Sequence, residues 1–105
     1  MKIIKRSGSE AVYDSNKIIA AVQKANASVI DYEKLSDEQI KEIADNVETA
    51  CENMKRSPSV EEIQDMVENQ LMNQRAFTVA RNYITYRYKR ALVRKSNSTD
   101  QQILS

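Results

Sequence analysis

One glycine and one proline in 105 residues leave this chain few places to reverse direction tightly. A strand-rich domain needs Gly, Pro, Asn or Asp at nearly every turn, so the fold is expected to be built mainly from helices, with room for one short hairpin. The glycine marks where that hairpin belongs. Lys2 to Arg6 and Ala11 to Tyr13 read as two strands around Ser7-Gly8-Ser9-Glu10, with Gly8 supplying the positive φ that a short loop requires. The proline, in Arg56-Ser57-Pro58, marks the end of a helix.

Capping residues and apolar periodicity divide the rest into four helices. Asp14 caps the first, whose stripe is Ile18, Val22, Ala25 and Val29 and which is expected to fray before Asp31. Ser36-Asp37-Glu38-Gln39 is a capping box opening a second helix with Ile40, Ile43, Ala44, Val47, Cys51 and Met54 at helical spacing. Ser59-Val60-Glu61-Glu62 is another, opening a third helix that buries Val60, Ile63, Val67 and Leu71. A fourth is expected from about Arg75 to about Lys95, with Phe77, Ala80, Ile84, Tyr88 and Ala91 as its apolar stripe, ended by the polar stretch Ser96-Asn97-Ser98-Thr99-Asp100. The expected class is therefore α+β, mostly α: an N-terminal β-hairpin packed on a four-helix bundle.

Composition excludes several functions. With no histidine, Ser-His-Asp chemistry and the usual Cys/His zinc sites have no ligands or base, and one glycine cannot make a P-loop or a dinucleotide fingerprint. The carboxylate pairs Asp37/Glu38 and Glu61/Glu62 read as first-turn residues that favour the positive end of a helix. Cys51 falls on the apolar stripe of its helix and reads as a small core hydrophobe. No window approaches a membrane span, and Met1 to Arg6 contains no signal-peptide core, so a cytoplasmic protein is expected.

A net charge of +1 conceals a polarised layout. Residues 31 to 68 hold twelve acidic and four basic side chains, whereas residues 69 to 99 hold seven basic and no acidic ones. Any single lysine or arginine among these could be a solvated helix residue. The pattern points to an anionic ligand, because Lys5, Arg6 and Lys17, joined by Lys89 from the last helix, could meet a triphosphate, and the Asp14-capped helix start adds free N–H groups beside them.

Ile3 to Ile18, with Lys5-Arg6-Ser7-Gly8 and Tyr13-Asp14-Ser15-Asn16-Lys17, resembles the opening of the ATP-cone, a regulatory nucleotide-binding domain at the N-terminus of many ribonucleotide reductases. Ile63 to Met72 and Ala80 to Arg90 resemble its third and fourth helices in the anaerobic, glycyl-radical class. The resemblance implies that Lys5, Arg6, the segment Val12, Tyr13, Asp14, Ser15, Asn16 and Lys17, and Lys89 surround the nucleotide, with Ser59 (or Val60) and Gln64 contributing from the start of helix three. Ser7 departs from the acidic residue many cones carry there, and still serves the turn. The effector implied is ATP or dATP, with Mg2+. Residues 1–95 would be the cone and 96–105 the start of a linker to a downstream catalytic domain of the parent reductase. The fragment itself would be no enzyme, and its output would be self-association. The alternative is a nucleic-acid-binding module using residues 75–95, with Tyr83, Tyr86 and Tyr88 as stacking rings. The near-neutral charge makes nucleic acid the poorer expectation.

Overall fold

Two three-residue strands, β1 (Lys2–Ile4) and β2 (Glu10–Val12), pair antiparallel with Ile3 opposite Ala11. A computed structural model describes the backbone of residues 1–104 and the side chains of residues 1–93. Gly8 has φ +90°, and its N–H reaches the Lys5 carbonyl at 2.9 Å while Lys5 N–H reaches Ser9 at 2.8 Å. The hairpin is thus shorter than the sequence suggests, because Lys5 and Arg6 belong to the turn. It is tied to the helices by its backbone. Ile4 N–H donates to the Pro58 carbonyl at 2.9 Å, and Ile4 forms a parallel bridge with Ser59, which lays the end of β1 along the entry to the third helix.

The helices are α1 (Ser15–Ala27), α2 (Asp37–Glu52), α3 (Val60–Asn73) and α4 (Phe77–Leu104), with a 3₁₀ turn at Asp31–Glu33 between the first two. All three expected caps form. Asp14 Oδ1 accepts Asn16 N–H at 3.0 Å, and the Ser36/Gln39 and Ser59/Glu62 boxes are reciprocal, each satisfying two N–H groups that the first turn leaves open. Asn26 clamps the connection after α1 by bonding both the N–H and the carbonyl of Leu35.

The end of α3 departs from expectation. Arg75 does not start a helix; it takes φ 59°, the left-handed conformation that closes one. Its N–H donates to Met72 at 2.9 Å and Ala76 N–H to Leu71 at 3.0 Å, the two bonds of a Schellman motif, built here on arginine where glycine is usual. At its other end α4 continues past the polar stretch to Leu104. The side chains of residues 96–105, expected to open a linker, lie outside the described ones.

One core joins the four helices. Val22 of α1, Ile43 and Val47 of α2, Val67 and Leu71 of α3 and Val79 of α4 are essentially fully buried, each contributing about 1.5–3 kcal/mol by removal from water. The stripes expected for α1 to α3 are buried, with Cys51 among them, its Sγ 3.7 Å from Met66 Sδ, except for Met54, which lies beyond the end of α2, and Val60, both of which are half-buried. The stripe of α4 is different. Ala76, Val79, Ala80 and Tyr83 face the core, while Phe77, Ile84 and Tyr88 are 59%, 44% and 64% exposed. Of the expected stripe only Ala80 is buried and Ala91 is half-buried; Asn82 bonds the Ala25 carbonyl at 2.9 Å and Arg87 reaches α3, consistent with the observed rotation of α4.

Candidate nucleotide site

α4 runs antiparallel to both α1 and α3, so its residues from Tyr83 to Arg90 lie beside the starts of those two helices, at the hairpin end of the bundle. There Lys17, Ala20, Ala21 and Lys24 of α1, Gln64 of α3, and Tyr83, Tyr86, Arg87 and Arg90 of α4 line a cleft of about 370 Å3. That volume falls in the range of small-molecule sites. Helical spacing explains the cationic wall: Lys17 and Lys24 are two turns apart on one face of α1, and Arg87 and Arg90 one turn apart on α4.

Arg87 is held by α3, with Nη1 2.8 Å from Asp65 Oδ1 and 2.9 Å from Glu68 Oε1. Burial works against its charge, but these two carboxylates outweigh it and raise its affinity for the proton. The Tyr83 hydroxyl is pushed up to about 12, first by burial and then by Glu68 and Asp65, against the opposing field of Arg87. Gln64 presents the most telling atom. Its Oε1 is buried without a hydrogen-bond partner among the described residues, an arrangement that costs about 1–3 kcal/mol unless something supplies a donor.

A second cleft, of about 250 Å3, adjoins the first and shares Lys24 and Tyr86 with it. The Lys24 ammonium lies 5.6 Å from the Tyr86 ring centroid, so this cation–π pair forms the partition. Lys89 lines the second cleft with Ser28, Asn82 and Thr85, and Lys17 lines the first. The two lysines expected to act together therefore stand on either side of that partition. A further cleft of about 330 Å3, at the α3–α4 turn, includes Lys34, Arg75 and Phe77 and lies at the opposite end of the bundle.

The other expected residues are placed as follows. Lys5 and Arg6 sit in the exposed turn, and Arg6 Nε donates to Glu61 Oε1 at 3.1 Å. Val12 is 73% exposed at the end of β2. Tyr13 packs on the core, with its hydroxyl buried and unpartnered among the described residues. Burial raises the proton affinity of that hydroxyl, and Cys51, Glu48, Asp45 and Glu52 add to the rise. Asp14, Ser15 and Asn16 form the capped start of α1, and Ser59 is committed to the α3 cap, its Oγ accepting Glu62 N–H at 3.1 Å. Lys24, Tyr86, Arg87 and Arg90 were not expected in the site. The Lys17–Lys24 spacing on one face of α1 is the sequence signal that points to Lys24; the α4 residues join the cleft through tertiary packing. Tyr83, 6% exposed, is unavailable as a stacking ring, which removes one support of the nucleic-acid alternative.

Among the described residues no helix is long and apolar enough to cross a membrane. Comparison with known proteins identifies the fold's relatives. Residues 1–92 match the family described as ATP cone domain. The chain is 38% identical over 104 residues to a vitamin B12-dependent ribonucleoside-diphosphate reductase of Thermoplasma acidophilum, covering 90% of this chain and 12% of that one. It is 32% identical over 108 residues to the ribonucleoside-diphosphate reductase subunit alpha of Chlamydia trachomatis, covering 95% and 10%. With an anaerobic ribonucleoside-triphosphate reductase of Haemophilus influenzae it shares 35% identity over 97 residues, covering 91% and 13%. The chain spans about a tenth of the length of these relatives. Hairpin, four helices and sequence match agree: the chain belongs to the ATP-cone family, the regulatory nucleotide-binding modules of ribonucleotide reductases.

Proposed function

We propose that this domain binds ATP or dATP, with magnesium on the phosphates, and reports the identity of that nucleotide to the catalytic domain of a ribonucleotide reductase. The observation that carries this reading is the convergence of Lys17, Lys24 and Arg87 on one cleft that Gln64 also lines. The lysines suit a polyphosphate, and Gln64, which lines the same cleft, offers an amide that can donate to or accept from the edge of a base. Lys5, Arg6 and the backbone from Val12 to Lys17 would approach the phosphates from the hairpin side, Ser59 would border the site at the α3 start, and Lys89 would act from the adjoining cleft.

The resemblance of Ile63 to Met72 and Ala80 to Arg90 to the anaerobic class is the ground for proposing an anaerobic triphosphate reductase as the parent; the Haemophilus relative is such an enzyme, whereas the Thermoplasma and Chlamydia relatives are diphosphate reductases. ATP and dATP differ by one hydroxyl, so the module must couple a small contact difference to a change in packing or assembly, and a ligand shifts such an equilibrium only by its differential affinity. Self-association of the cone is the proposed output.

Thermal melting tests the binding claim. Ligand at a hundredfold its dissociation constant adds about 2.7 kcal/mol, which raises the melting temperature of a domain this size by roughly ten degrees or more. ATP and dATP should produce that shift and GTP a much smaller one; identical melts with and without saturating ATP or dATP would refute the reading.

A further inference from the structure

We propose that Glu61 sets the affinity of the nucleotide site by competing with the phosphate chain for the Arg6 guanidinium. The inference rests on the reading above, in which Arg6 is a phosphate ligand, and adds a residue with the opposite effect. The pair is positioned by the backbone. Ile4 and Ser59 form an isolated parallel bridge, which brings the turn after β1 beside the first turn of α3, where Arg6 Nε and Glu61 Oε1 lie 3.1 Å apart. Both side chains stay substantially in contact with solvent, at 52% and 36% exposure.

The two first-turn glutamates of α3 have different tasks. Glu62 closes the capping box and takes both Nη groups of Arg56, so it is committed to the fold. Glu61 contacts Arg6 through a single guanidinium nitrogen and takes no part in the cap. If Arg6 turns to a phosphate, Glu61 stays at the positive end of α3, partly hydrated, so its release leaves no stranded buried charge. An exposed ion pair of this kind is weak, and its loss is easily offset by a guanidinium–phosphate contact. Binding is thus an exchange of anions on Arg6, and Glu61 subtracts from the affinity that the cations would otherwise give.

The test is ATP affinity, by calorimetry, of the wild-type chain, Glu61→Gln, Glu61→Asp, Arg6→Ala and the Arg6→Ala/Glu61→Gln double variant. Melting curves in buffer confirm that each is folded. Glu61→Gln should tighten ATP by about two- to fivefold, the range that an exposed pair supports. Glu61→Asp, which keeps the charge but withdraws it from Arg6, should also tighten it. In the Arg6→Ala background the Glu61→Gln gain should vanish. A gain of equal size with and without Arg6, or one absent from Glu61→Asp, shows a general field effect and overturns the proposal while leaving the site intact. Arg6→Ala with unchanged ATP affinity removes Arg6 from the site itself, and the proposal falls with it.

Discussion

Replacing Arg75 by glycine should stabilise this domain. Arg75 closes α3 at φ 59°, where an L residue's Cβ crowds the following carbonyl at a cost of roughly 1–2 kcal/mol. Glycine takes this conformation freely but gives the unfolded chain more entropy to lose, about 0.5–1 kcal/mol. The two Schellman bonds, Arg75 N–H to Met72 and Ala76 N–H to Leu71, use backbone atoms alone and survive the change. The net gain is therefore between about 0 and 1.5 kcal/mol, centred on about 0.75 kcal/mol, or roughly 3–6 °C in melting temperature at that centre for a domain near this length. Urea or thermal melts of Arg75→Gly and Arg75→Ala make the comparison. The alanine variant also loses the guanidinium but keeps Cβ, so it should gain nothing from the backbone. Arg75 lies at the end of the bundle away from the nucleotide cleft, so ATP affinity should not move in either variant. Equal stability changes in the two variants, or a less stable glycine variant, would refute the argument from the left-handed backbone.

Other expectations follow from the site and the caps. Lys17→Ala should weaken ATP by about ten- to a hundredfold through loss of a charge-assisted contact, and Lys89→Ala, in the adjoining cleft, by less; equal losses in titrations of the two would mean that both clefts form one phosphate site. Glu62 is pulled down to about 2, first by its hydrogen bond from Arg56 and then by the Ser59 backbone. Since its folded value lies below the ordinary 4.5, the stability it contributes is present above that pH and is lost as pH falls toward about 2; Glu62→Gln should flatten that part of the stability–pH curve measured by urea melts. Cys51→Ala should cost about 1 kcal/mol in the same melts, from lost packing against Met66, and leave nucleotide affinity unchanged.

What the sequence reveals about this molecule divides along the range of the interactions involved. The caps at Asp14, Ser36 and Ser59 are legible because each is closed within three residues of its own position. The stripes of α1 to α3 are legible because each helix has one apolar face. α4 has two, and residues 77, 84 and 88 keep helical period as well as 76, 79, 80 and 83 do; which set is buried depends on Asn82 and Arg87 finding partners on α1 and α3, far away in the chain. The left-handed Arg75 is hidden for a similar reason, since only the completed turn tells it from a helix start. At the site, Lys5, Arg6 and Lys17 are visible as cations near a turn and a helix start. The restraint on Arg6 by Glu61, 55 positions away, and the joining of Lys24 to Tyr86 across two helices come from tertiary pairing.

Calorimetric titration of the purified chain with ATP, dATP, GTP and a short single-stranded oligonucleotide tests the central claim most directly. Expected are saturable binding of ATP and dATP, weaker binding of GTP, and no heat from the oligonucleotide. Binding of the oligonucleotide with silence from ATP and dATP would contradict it.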